Sequence, residues 1–165
     1  MRLLTRLLIR FGTRLHRLAR MDSKLITADG LALHRRAWPL TAARGTVLIV
    51  HGLGEHIGRY AELAARLNAL GWQVLGHDHW GHGRSGGGRG SLVDADCLLR
   101  DVAAVRDHAA CPGSVVLLGH SLGGLVAARF VAENLAATPA AWARGVDGLV
   151  LSSPALEIGD RKSVV

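Results

Sequence analysis

The chain has 165 residues, 49% hydrophobic and 20% charged, with a formal net charge of +7. That is the length and apolar content of one soluble globular domain, too short for several and too apolar for a disordered chain. Six arginines (Arg2, Arg6, Arg10, Arg14, Arg17 and Arg20) lie in the first twenty residues with no acid among them, so residues 21–165 carry only +1 and a nucleic-acid partner is not indicated.

Residues 1–20 read as a basic amphipathic helix. At 100° per residue Leu4, Leu7, Leu8, Phe11, Leu15 and Leu18 share one face, and the arginines gather opposite. Such a segment can lie in a membrane interface, leucines in the acyl boundary and arginines near anionic head groups. Two plainer readings stand beside it: a helix packed on the domain, or a segment left out by translation starting at Met21. No apolar run reaches the roughly 18 residues of a membrane span, and arginine interrupts the N-terminus too often for a signal peptide. The expected location is the cytoplasm, with peripheral membrane contact through residues 1–20.

Residues 21–165 read as the second unit, an α/β domain. Lys24–Thr27 and Leu31–Trp38 are strands joined by the turn signal Ala28-Asp29-Gly30. Thr46–Val50 is a short apolar, β-branched run, the pattern of a parallel strand buried on both faces. A helix over Tyr60–Leu70 ends at Gly71. Gln73–Gly76 is the next strand, followed by a glycine-rich loop from Gly81 to Gly90. Asp94–Ala109 reads as a helix with Asp94 as its cap, Ser114–Leu118 as a strand, Leu122–Leu135 as a helix and Gly148–Leu151 as a strand. The order βαβαβαβ from residue 46 predicts a parallel sheet with helices on both faces. Cys97 and Cys111 have no metal or redox spacing and read as free thiols of a reducing compartment, one disulfide being the alternative.

The chemistry is carried by Gly119-His120-Ser121-Leu122-Gly123, a G-x-S-x-G between an apolar strand and a helix. That context makes it a nucleophile elbow. A serine on so sharp a strand-to-helix turn has strained backbone angles, and its neighbours at 119 and 123 come close enough to require glycine. The turn lifts the Ser121 hydroxyl off the sheet and sets the N-terminus of the following helix under a developing oxyanion. The Leu122 N–H is the expected first oxyanion donor. His51-Gly52-Leu53-Gly54-Glu55-His56 follows the strand at 46–50, where the second donor belongs, and by position this is the Leu53 N–H.

Four segments together resemble the monoacylglycerol lipase and lysophospholipase branch of the α/β hydrolases, which includes serine aminopeptidase-like enzymes. They are H-G-L-G-E-H-x-x-R-Y at 51–60, G-H-D-H-W-G-H-G-R-S at 76–85, G-H-S-L-G-G at 119–124 and L-S-S-P-A-L at 151–156. The resemblance covers residues 23–160. It implies the α/β-hydrolase fold and hydrolysis of a carboxylic ester, typically a monoacylglycerol or lysophospholipid, with no cofactor. It implies an acyl-enzyme on Ser121 and an oxyanion hole of the Leu53 and Leu122 amides. In such enzymes a histidine takes the serine proton and an acid orients that histidine; both follow the serine in chain order. Here all nine histidines (His16, His34, His51, His56, His77, His79, His82, His108 and His120) precede Ser121, and His120, in the elbow's variable position, should point away. Of the later acids, Glu133, Asp147, Glu157 and Asp160, none follows a further strand. The triad histidine and acid, the lid and the last strands of the family are thus absent from the sequence, and the expectation is an inactive, poorly folding chain whose last strand is left as an edge. A non-catalytic fragment or pseudoenzyme, associated with a membrane surface, is the alternative.

Two rival sites are weaker. His77, Asp78, His79 and His82 offer zinc-type ligands, but the loop leaving a parallel strand accounts for them, and no metal is expected. Gly81-x-Gly83-x-x-Gly86 fits a dinucleotide fingerprint, but no helix begins there to hold a phosphate.

Overall fold

A computed structural model describes residues 20–109 and 113–156. In chain order the elements are β1 (Met21–Ile26), β2 (Ala32–Trp38), β3 (Gly45–Val50), a short 3-10 turn (Ile57–Tyr60), α1 (Ala61–Ala69), β4 (Gln73–His77), α2 (Cys97–Asp107), β5 (Ser114–His120), α3 (Leu122–Asn134) and β6 (Gly148–Ser152). They build one sheet in the order β1-β2-β4-β3-β5-β6. The β1/β2 and β2/β4 pairs are antiparallel, and the β4/β3, β3/β5 and β5/β6 pairs are parallel. This is the expected α/β-hydrolase architecture, a mostly parallel sheet flanked by helices.

The side-chain period of a strand explains how β3 organises two cores. Leu48 and Val50 face one way, into a cluster with Leu75, Leu117 and the α2 and α3 residues Val102, Val105, Ala127 and Phe130. Val47 and Ile49 face the other way, against Trp38, Ile57, Ala64 and Val74, with Leu63 and Leu67 of α1 beside them. All six residues of β3 are buried, as expected for a parallel strand covered on both faces. Phe130 closes the first cluster by stacking on Trp142 at 5.9 Å between ring centroids.

Topology places the site. The chain leaves β3 for β4 on one side, then crosses back to β5 on the other, so β3 is where the strand order reverses. A crevice opens at the carboxyl ends of strands at such a point. Val50 and Gly119 are register partners, so the loop after β3 and the turn after β5 emerge side by side.

Several sequence-based boundaries shift. Asp94 does not cap α2: the helix starts at Cys97 with Asp96 before it and no side-chain cap. Asp94 instead accepts the Asp96 N–H at 2.8 Å and pairs with Arg100 at 2.7 Å. The helix expected from Tyr60 begins as the 3-10 turn at Ile57, whose N–H is taken by the Asp78 carboxylate at 2.7 Å. β5 runs two residues further than expected, because Gly119 and His120 pair with Leu151 and Ser152. β1 starts at Met21, three residues earlier than read, paired through Met21↔Ala37.

At the far edge β6 exposes Leu149, Val150 and Leu151. At the other edge Asp22 gathers Arg36, at 2.6 Å and 2.9 Å, and Arg84 at 3.2 Å. The Arg36 hydrogen bond outweighs the opposing effect of burial and holds the Asp22 carboxyl down at about 2. This pins the glycine-rich loop to β1 and β2. Cys97 is a buried free thiol; Cys111 and all but Arg20 of the helix read over residues 1–20 lie outside the described residues.

Candidate active site

Ser121 stands at the β5–α3 junction with φ 52 and ψ −119. This region is all but reserved for glycine, and it costs a side-chain-bearing residue about 1–3 kcal/mol. Tight packing holds it. A Cβ on Gly119 would strike the Gly123 carbonyl, and one on Gly123 would strike the Val50 carbonyl. The backbone is tied as well: Ser121 N–H donates to Ser152 O at 3.1 Å, and Ser121 O accepts from Gly124, Leu125 and Ala155 N–H at 2.9–3.2 Å. The elbow that the motif predicts is present, at the head of the thirteen-residue α3.

The loop after β3 meets it. A Cβ on Gly52 would lie 3.3 Å from the Ser121 Cβ, a tight contact that marks how near the loop comes to the nucleophile. Gly54 takes φ +70, and Glu55 N–H closes the turn on Gly52 O at 3.3 Å. Among the described residues neither Leu53 N–H nor Leu122 N–H has a hydrogen-bond acceptor. Both are unspent donors on the loops that converge at Ser121.

Beneath this loop four imidazoles cluster in tilted and edge-on contacts. His51 and His79 lie 4.1 Å apart between centroids, His51 and His82 5.5 Å, and His77 and His79 5.2 Å. His51 Nε2 accepts the His79 N–H at 2.9 Å, which fixes the proton on Nδ1, where it is donated to Gly52 O at 2.8 Å. His79 Nε2 donates back to His51 O at 2.9 Å. Burial lowers His51 to about 4 and His77 to about 3, and holds His79 well below the usual imidazole range. His51 and His79 are thus neutral struts between the end of β4 and the loop after β3. Among the described residues no three His, Cys, Asp or Glu are placed to share a metal ion. Asp78 is spent on the Ile57 and Arg84 N–H groups. The glycine-rich loop folds on itself through Gly81 N–H to Gly86 O at 2.8 Å and leads into no helix before Cys97, which removes the dinucleotide reading.

His120 turns toward β6, its Nδ1 3.0 Å from Ser152 O. No imidazole among the described residues is hydrogen-bonded to the Ser121 hydroxyl. Asp147 accepts the Val115 N–H at 2.7 Å, at the opposite end of β5 from Ser121. Glu133 accepts the Ala140 N–H at 3.2 Å beyond the far end of α3. Glu157 and Asp160 lie outside the described residues. An opening of about 470 Å³ beside the elbow is lined by Glu55, Arg59, Tyr60, Leu63, Leu118 and His120. Sequence reasoning passed over Glu55 and Tyr60, which are joined here at 2.7 Å. The G-x-x-E spacing from Gly52 was the available signal.

The profile of the Serine aminopeptidase, S33 family matches residues 41–164. Human monoglyceride lipase is 40% identical over 136 residues, which cover 79% of this chain and 42% of that protein. Monoacylglycerol lipase of Mycolicibacterium smegmatis is 35% identical over 156 residues, covering 88% and 51%. The crystal structure of Paleococcus ferrophilus monoacylglycerol lipase superposes with a TM-score of 0.61 at 34% identity, over 76% of this chain and 44% of that one. The chain thus spans about half the length, or less, of the relatives it matches. Elbow, loop and sheet order agree with these likenesses, and the chain belongs to the Serine aminopeptidase, S33 family of α/β hydrolases, in its monoacylglycerol lipase-like branch.

Proposed function

We propose that this chain carries the nucleophile and oxyanion hole of a serine hydrolase acting on carboxylic esters, of the monoacylglycerol lipase type. The observation that carries the reading is the Ser121 backbone at φ 52, ψ −119 at the head of α3. The names of the relatives support a lipid or other ester as substrate. The Ser121 oxygen attacks the ester carbonyl, and the Leu53 and Leu122 N–H groups take the charge that develops on the carbonyl oxygen. The alcohol departs, leaving an acyl-enzyme that water cleaves. Both steps need a base on the serine or on the water. The described residues place none there, and this favours a second reading, a hydrolase scaffold that does not turn over by itself.

A fluorophosphonate tests both. Wild type joined to the C-terminal half of a relative is expected to be labelled at Ser121, and Ser121→Ala in the same joined chain not at all. Equal labelling of the two would refute the nucleophile. p-Nitrophenyl butyrate hydrolysis by the unextended chain is expected to stay at the Ser121→Ala background. Serine-dependent turnover there would overturn the second reading.

Among the described residues no helix is long and apolar enough to cross a membrane. For residues 1–20 we propose reversible attachment to anionic bilayers, resting on the six arginines opposite a leucine face. Basic residues near such a surface contribute roughly 1 kcal/mol each. A peptide of residues 1–20 should partition into anionic vesicles, less so as salt is raised. Equal partitioning into neutral vesicles would remove the electrostatic part of the idea.

A further inference from the structure

The Glu55 carboxylate sits at the mouth of the site, yet the reaction gives it no bond to make or break. It is only slightly exposed. Its Oε2 accepts two hydrogen bonds, from Gly52 N–H at 3.1 Å and from the Tyr60 hydroxyl at 2.7 Å. Its Oε1 meets Arg59 Nη1 at 3.1 Å. Glu55 also returns its own N–H to Gly52 O at 3.3 Å. Residues 52 and 55 are therefore bonded in both directions, as in a capping box, but around a turn that starts no helix.

From this geometry we infer that Glu55 is a positioning residue: it clamps the Gly52-Leu53 turn so that Gly52 N–H is spent and Leu53 N–H alone remains for the oxyanion. The inference rests on the proposed role of Leu53 and deepens it. Without the clamp the loop would offer two adjacent N–H groups, and Gly52, which has no side chain, would rotate freely enough to aim neither. Gly52 packs against the Ser121 Cβ, so a drift of the turn moves the donor relative to the nucleophile directly. A misplacement of about 1 Å at such a site costs up to about 100-fold in rate. Tyr60 and Arg59 have a distinct part. An unpartnered carboxylate here would repel a developing oxyanion, and the Tyr60 hydroxyl and the Arg59 charge offset part of its negative charge. Burial alone would raise the Glu55 carboxyl; the hydrogen bonds from Tyr60 and Gly52 and the charge of Arg59 outweigh it and hold the group below its ordinary value. The clamp is therefore ionised and intact at neutral pH.

The test compares wild type, Glu55→Gln, Glu55→Ala and Tyr60→Phe in the full chain by two measurements. One is amide hydrogen exchange at Gly52 and Leu53 in ¹⁵N-labelled protein. The other, made on the same variants joined to the C-terminal half of a relative, is the second-order rate at which a fluorophosphonate captures Ser121. Glu55→Ala is expected to speed exchange at Gly52 by at least roughly tenfold, leave Leu53 exchange fast as in wild type, and slow capture roughly tenfold to 100-fold. Glu55→Gln, which still presents an acceptor oxygen, should recover most of both, and Tyr60→Phe should fall between. Unchanged Gly52 exchange in Glu55→Ala overturns the clamp. Equal slowing of capture in the glutamine and alanine variants overturns it too, since charge and not position would then be at work. A joined wild type that captures no probe but shows Gly52 exchange governed by Glu55 supports the clamp and refutes the Ser121 reading instead.

Discussion

Gly123→Ala is expected to lower the melting temperature by roughly 6–12 °C, or to prevent folding. The new methyl would land on the carbonyl oxygen of Val50, with that of His51 close behind. Neither oxygen can step aside. Val50 is buried in the middle strand of the sheet, and His51 is held by its own ring and by His79. Overpacking in a core costs typically 1–3 kcal/mol, and obstruction by backbone belongs at or above the top of that range. Two other glycines calibrate the result. A Cβ on Gly145 meets nothing within 4 Å, so Gly145→Ala should leave stability within about 0.5 kcal/mol. Gly54 also has open space but φ +70, so Gly54→Ala should cost about 1–2 kcal/mol of backbone strain alone. Thermal unfolding followed by circular dichroism ranks the three. A Gly123→Ala protein melting within about 2 °C of wild type would mean that α3 does not approach β3 this closely.

Acid should unfold the protein over a window set by the clustered histidines. In the folded chain burial holds His51 at about 4 and His77 at about 3. In the unfolded chain both return to about 6.5. Below that value the unfolded state binds protons that the folded state refuses. Stability is therefore full above about pH 6.5 and falls as pH drops toward 4 and then 3. Each unit of depression is worth about 1.4 kcal/mol, so these two rings together cost about 8 kcal/mol by the end of the window, comparable to a typical domain's margin. His79 adds to the loss in the same direction. Asp101 works oppositely. Burial in α2 raises its carboxyl to about 7 against the pull of the Trp80 N–H, so its contribution is present at low pH and lost as pH rises through 7. Urea midpoints should consequently fall steeply from pH 6.5 to 4. Asp101→Asn should raise the midpoint at pH 8 and change little at pH 4. A flat profile across pH 4–7 would mean that the imidazoles are hydrated.

What was legible in the sequence follows from how local each signal is. The strand at 46–50 and the elbow at 119–123 declare themselves because burial on both faces and close approach leave few residue choices. Gly71, with φ +85, ends α1 as read. The errors arose where a distant partner decides. Asp94 looked like a cap because it is an acid before an apolar run, yet Arg100 takes it. The 3-10 start of the α1 segment depends on Asp78, twenty-one residues away. The histidines of 77–82, already set aside as metal ligands in the sequence, serve packing here: His79 Nε2 donates to His51 O, His82 Nδ1 faces Trp80 O, and the His77 ring is buried in the core. Glu55 went unread because a carboxylate that holds backbone does no chemistry of its own.

The hydrogen bonds of Ser121 carry a consequence for the order of events in folding. Its N–H reaches Ser152, and its carbonyl is reached from Ala155. The peptide groups on both sides of the serine are thus fastened to chain synthesised some thirty residues later. A contact of that span has to close a loop before it returns any stabilisation. On the ribosome the pentapeptide will leave the exit tunnel well before these fasteners do, and until they arrive only the contacts of Gly119, Gly123 and the first turn of α3 oppose relaxation of Ser121 to an ordinary backbone angle. The reactive turn is thus a late-forming feature, and β6 is the strand that sets it.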